Sequence, residues 1–183
     1  MQLEDFEQLR AFIHTKNNYF HHGFANAFRS DVTGTVWVRK HQDMQCLLPD
    51  DTLGNYFYLR NETLIKHDPL PAERISDGGT QRLSFLDTAT VYLVAIVHNA
   101  DEYLLIENLR NAAMAYDHMN VVPVSSNSNR EYVIADELSK MRTDDVAATL
   151  KRFTAQTVVR LTLQVSKTFI PSNCIVNPVN YNL

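Results

Sequence analysis

Apolar residues recur at helical spacing at the start of the chain, where Leu3, Phe6, Leu9, Phe12 and Ile13 stand among Glu4, Asp5, Glu7, Gln8 and Arg10. A stripe of that period buries one face of a helix, so the pattern predicts an amphipathic helix over Gln2 to Lys16. The next segment, Asn17 to Phe28, is rich in aromatic residues but has neither period, and it reads as irregular. Thr35-Val36-Trp37-Val38-Arg39 is β-branched and aromatic behind Gly34, which predicts a strand. Tyr56 to Leu59 and Thr63 to Lys66 flank Arg60-Asn61-Glu62 and predict a hairpin turning at the asparagine. Pro69, Pro71 and Asp77-Gly78-Gly79 then mark an exposed connection, long enough to serve as a contact arm.

From Thr88 to Val97 both alternating faces are apolar, as in a central strand covered on both sides. Asn99 followed by Glu102 resembles a capping box, and Leu105, Ile106, Leu109, Ala112 and Ala113 continue it as a helix whose small alanines permit close packing on a sheet. Asn120 to Val124 and Arg130 to Ile134 are short strand candidates around the polar tract Ser125 to Asn129. Pro123 assigns the first to a sheet edge, because proline cannot donate to a ladder. Thr143-Asp144-Asp145 starts a short helix to about Arg152, its carboxylates suited to the positive end of the helix dipole. Val159, Leu161, Leu163 and Val165 alternate with Arg160, Thr162, Gln164 and Ser166, which predicts a final strand with one face on the core and one on water.

These elements define an α+β fold: an antiparallel (mixed) sheet packed by an N-terminal helix and a central helix, with an extended C-terminal tail. The expected organisation is one domain over residues 1–170 and a tail over 171–183. The tail carries only scattered Ile175, Val176, Val179 and Tyr181, too few to form a core, so these four are the candidate interface residues against a neighbouring protein.

Composition narrows the function classes. The 183 residues are 45% hydrophobic and 21% charged, ordinary values for a packed domain of a size that buries roughly 70% of its unfolded surface. A formal charge of -4 gives no bulk attraction to nucleic-acid phosphates. Cys46 and Cys174 form no Cys-x-x-Cys pair, so reduced thiols are expected. The N-terminus lacks the basic and apolar regions of a signal peptide, and the longest apolar run, Val91 to Val97, is too short to span a bilayer; no membrane association is expected. Without a secretion signal the sequon Asn61-Glu62-Thr63 carries no weight.

Motifs of chemistry are missing. Seven histidines include no His-x-x-x-His pair on an expected helix, and the adjacent His21 and His22 would point to opposite faces of a strand. No Gly-x-Ser-x-Gly elbow occurs, and Asp77-Gly78-Gly79 lacks the Lys-Ser/Thr of a phosphate loop. The pairs Asp101-Glu102 and Asp144-Asp145 fall at helix starts, where the dipole accounts for them, and Arg39-Lys40-His41 and Lys151-Arg152 are too short for a nucleic-acid surface. No catalytic residue, metal or cofactor is expected. The role that remains is assembly with other proteins, set against a single-partner cellular adaptor or an enzyme with an unrecognised site.

The order of elements, an N-terminal helix, antiparallel strands, a central strand entering a helix at His98-Asn99-Ala100-Asp101-Glu102, further strands and a long alternating strand at Val158 to Ser166, resembles the tail-terminator and neck (head-to-tail connector) proteins of tailed bacteriophages. The resemblance spans about Gln2 to Ile170 and is one of architecture and length. The long Leu47 to Gln81 region and the asparagine-rich tail depart from the family's compact pattern. It implies a virion protein, assembled in the host cytoplasm, that forms a homo-oligomeric ring. Its partners would be copies of itself, neighbouring connector or tail proteins, and passing DNA held without sequence-specific contacts. Ser172 to Leu183 and the Pro69 to Gly79 loop would be the contact arms between subunits.

Overall fold

In a computed structural model of the chain, residues 1, 3–29, 36–39, 45–47, 54–71, 73–74, 81–139, 146–170 and 175–176 are described. The central element is a pair of 14-residue antiparallel strands, β8 (Phe85–His98) and β10 (Gln156–Phe169), paired over their whole lengths from His98↔Gln156 to Phe85↔Phe169. Side chains alternate across such a pair, so one register decides the content of two faces. Ala89, Val91, Leu93, Ala95 and Val97 meet Val159, Leu161, Leu163 and Val165 on the front; Thr88, Thr90, Tyr92, Val94 and Ile96 meet Val158, Arg160, Thr162, Gln164 and Ser166 on the rear.

Around this pair lies an eight-stranded mixed sheet in the order β3 (Gln45–Leu47), β2 (Val36–Arg39), β1 (His22–Arg29), β4 (Tyr56–Asn61), β8, β10, β9 (Asn120–Asn127), with β5 (Lys66–Pro69) also on β8. The fold is α+β, as the element pattern implies. One pair, β1 with β4, is parallel. A second, small sheet joins β6 (Glu73–Arg74), β7 (Gln81–Arg82) and β11 (Ile175–Val176). Helices α1 (Leu3–Lys16) and α2 (Glu102–Met114) cover the front through Phe6, Leu9, Ile13, Leu105, Leu109 and Ala113. Helices α3 (Arg130–Ser139) and α4 (Val146–Arg152) pack on the rear, where Val133, Ile134, Leu138 and Phe153 meet Phe24, Tyr56, Tyr58, Val94, Ile96 and Val158.

Several expectations are corrected. The aperiodic aromatic segment contains β1: its period is hidden because Phe24 enters the rear core while Ala25 enters the front one. No hairpin forms at Asn61. The chain bends there, Glu62 and Thr63 both donate backbone N–H groups to the Thr90 carbonyl, and β4 and β5 follow each other along the same edge of β8. Arg130 to Ile134 belongs to helix α3, not to a strand. Asn129 Oδ1 accepts from the Tyr132 amide at 3.0 Å, and Val133, Ile134, Glu137 and Leu138 all lie on the buried side. The N-cap of α2 is Asp101, whose carboxylate accepts from the Leu104 amide at 2.9 Å, while Asn99 takes a left-handed turn at φ 50. A charged acceptor outcompetes an amide at the positive end of the helix. The first half of β10 is buried on both faces, because α3 lies over its rear side, so the simple core-and-water alternation holds only beyond Arg160.

Pro123 does sit on the edge strand β9, beside a bulge between Thr162 and Leu163 of its partner. The Pro69 to Gly79 connection contributes Pro69 to β5 and Glu73–Arg74 to β6; residues 72 and 75–80 lie outside the described residues, as does the expected helix start at 143–145. Leu161, fully buried under the front helices, should be a sensitive reporter of this core: Leu161→Ala is expected to cost about 2–5 kcal/mol in urea unfolding with little change in m.

Candidate functional site

Strand register lays out the rear face in rows. Tyr56 with Ile96, then Tyr58 with Val94, form apolar rows under α3 and α4. The row Arg60, Tyr92, Thr162 and Ser125 follows, and beyond it come Thr90, Gln164 and Val122, then Lys66, Thr88, Ser166 and Asn120. Apolar cover therefore ends at the arginine row, and a polar half-face begins.

The boundary is held by charge. Glu137, on α3 and 1% exposed, accepts from the Tyr58 hydroxyl at 3.0 Å, from Arg60 Nε at 3.1 Å and from Arg60 Nη2 at 2.8 Å. Arg60 Nη1 donates to Glu62 at 2.6 Å. Arg160 donates to Asp136 and lies 3.6 Å from Glu137. Both guanidinium groups lie over the Tyr92 ring, at 4.9 Å for Arg60 and 4.5 Å for Arg160, and Arg160 also faces Tyr132. Burial alone would lower the pKa of each guanidinium; carboxylate contacts, with Glu137 for Arg60 and Asp136 for Arg160, reverse that and raise both. Burial, then the Glu137 charge, pushes the Tyr58 hydroxyl well above 10, so it stays a donor. Every member of the cluster is spent on another, and its chemistry is that of a rivet between α3 and the sheet.

Beyond the rivet, no described helix lies over the rear face. Thr63, Lys66, Thr88, Thr90, Asn120, Val122, Gln164 and Ser166 surround a shallow depression of about 380 Å³. Gln164, Asn120, Val122 and Lys66 are exposed. Such a broad, shallow face of threonine, serine and amide groups suits a macromolecular surface better than a small ligand, which is held in a deep apolar cleft.

The residues singled out in the sequence are scattered. Ile175 and Val176 form β11 and pair with Arg82 and Gln81 of the same chain; Val179 and Tyr181 lie outside the described residues. His21 Nδ1 accepts from the Asn55 amide at 3.3 Å and His22 stacks on Phe24. Asp101 caps α2, Lys151 and Arg152 are exposed at the end of α4, Arg39 lies in β2, and Lys40, His41, Asp144 and Asp145 fall outside the described residues. Among the described residues no three His, Cys, Asp or Glu side chains converge as metal ligands, and no helix is long and apolar enough to cross a membrane. Sequence reasoning missed the Glu137 cluster because it read Arg130 to Ile134 as a strand. The spacing Val133, Ile134, Glu137, Leu138 behind Asn129 was the signal that could have found it. Compared with known proteins, the chain matches no family model and no curated protein.

Glu137→Gln leaves two buried guanidinium groups short of a counter-charge and is expected to destabilise the fold by about 3–5 kcal/mol in denaturant titration, whereas Glu62→Gln at the rim should cost under about 1 kcal/mol. Tyr58→Phe removes a hydrogen bond to a charged group, a loss of roughly 1.5–3 kcal/mol at neutral pH. The folded Tyr58 pKa is raised while the unfolded one stays near 10.0, so above that pH the unfolded wild type releases a proton that the folded state keeps. Wild-type stability therefore falls as pH rises past 10, the phenylalanine variant lacks this contribution, and the stability gap measured between the two should narrow there.

Proposed function

We propose that this chain is a structural virion protein that forms an oligomeric ring in the head-to-tail connector or tail of a tailed bacteriophage, joining neighbouring rings around the DNA channel. The observation that carries the assembly part is the half-covered rear sheet. A sheet face without a covering layer among the described residues, next to one packed by helices, is surface that a protein neighbour can complete. The exposed side chain of Val122 adds apolar area to that face. The order of elements on which the phage resemblance rests, helix, strands, strand into helix at Asp101, long closing strand, supports placing the assembly in a virion connector. Its partners are then copies of itself and adjacent connector or tail proteins, and the acidic chain lets DNA pass without adhering.

Native mass spectrometry and negative-stain imaging of the purified chain, alone and mixed with neighbouring virion proteins, should show closed rings of one repeated subunit. A chain that stays monomeric in both conditions and never enters particles would overturn the ring. A stoichiometric one-to-one complex with a single non-virion protein would replace it with the adaptor role.

A further inference from the structure

The assembly reading leaves open what covers the rear half-face, and the molecule itself carries a part that fits. Helix α2 is packed on the front through Leu105, Leu109, Ala112 and Ala113. Its opposite side presents Tyr103, Glu107, Arg110 and Met114 in one stripe, since positions four, seven and eleven residues apart lie on the same side of a helix, with Leu104 beside them and Arg110 donating to Ser126 of β9 at 3.3 Å. Tyr103 is 77% exposed and Met114 55%, a large apolar exposure for a helix whose other side is fully buried. We propose that the occupant of the rear half-face is a second copy of this chain, which inserts the α2 stripe against Thr90, Gln164, Val122 and Lys66; the inference rests on the assembly function proposed above.

Size, charge and placement agree on this occupant. The 13 residues of α2 make a rod about 20 Å long and 10 Å across. The open rows run along β8 from Thr90 to Leu86, roughly 14 Å, and span the four strands β9, β10, β8 and β5, about 19 Å across, so the rod fits when laid across the strands. One helix fills that floor, as α3 fills the other half. The floor is neutral except for Lys66, whereas Glu107, Asp101 and Glu102 outnumber Arg110, which is turned to Ser126 of its own β9, so the helix surface is net negative against a positive floor. The edge strand β9 is closed to strand addition at Pro123 and its bulge, which leaves the face, not the edge, as the means of contact. Finally, the stripe and the floor are on opposite sides of the sheet. A subunit with its donor on one side and its acceptor on the other binds head to tail, the heterologous contact from which rings are built.

The test uses the full chain with Cys46→Ser and Cys174→Ser, to which Tyr103→Cys, Gln164→Cys or both are added; all added sites are exposed, and circular dichroism checks folding. Under mild oxidation the double variant should give a ladder of disulfide-linked multimers, an equal mixture of the two single variants should stop at dimers, and each single variant alone should stay monomeric on a non-reducing gel. Lys66→Glu and Glu107→Lys should each weaken self-association roughly two- to fivefold at low salt, and the two together should restore it. Self-linking by a single variant would overturn the head-to-tail pairing. Rings that form without any ladder and without a charge effect would overturn this pairing while leaving the ring function standing. A chain that neither links nor assembles, alone or with neighbouring virion proteins, would overturn both.

Discussion

The buried carboxylate of Glu137 is the interaction on which the arrangement of the rear layer depends. It binds Tyr58 and Arg60 from β4 while its own helix turn brings Asp136 to Arg160 on β10. Two strands that flank β8 on either side are thereby tied to a single helix. Charges taken out of water are tolerated only when each finds its partner, so the position of α3 along the strands is set to within a hydrogen bond. Apolar packing of Val133, Ile134 and Leu138 supplies the adhesion, and the charged cluster supplies the stop.

That stop explains why one sheet has two kinds of rear surface. The strands β8 and β10 are each 14 residues long, more than a ten-residue helix lying across them can cover. The front solves the same problem with two longer helices, and its side chains stay apolar from Ala89 to Val97. On the rear the side chains change from Val94 and Ile96 to Thr88 and Thr90 along one strand. Among the described residues the covering layer stops where the pattern changes. The polar rows are compatible with water in the free chain and with a neighbour in an assembly, which is the usual character of an interface formed after folding.

Connection of the rear floor to the front stripe of α2 would make each subunit complete its neighbour's second layer. A large structural stake would then be placed on contacts between chains, as the proposed assembly requires. Neither surface needs a deep pocket or a titrating group. Besides Lys66 in the floor itself, the ionisable residues along its border, Arg60, Glu62, Arg160 and Asp136, are engaged within the rivet and its surroundings.

Much of the fold was legible in the chain. The stripe Phe6, Leu9 and Ile13 specifies α1, the doubly apolar run to Val97 specifies a central strand, the alternation to Val165 specifies its partner, and Pro123 specifies an edge. These readings rest on local periodicity and on the missing amide of proline, which do not depend on distant neighbours. What tertiary structure alone decided were the elements buried on both sides or defined by a partner: β1, whose Phe24 and Ala25 enter different cores; β5, which continues β4 along β8 instead of turning back on it; and α3, whose Tyr-Val-Ile run reads as a strand until Asn129 caps it and Glu137 meets Arg60. The open half-face belongs to the same group. Thr88, Thr90, Gln164 and Ser166 are unremarkable alternating residues in sequence, and they become one surface only because strands far apart in the chain are paired in register while the helix above them ends at a buried salt bridge.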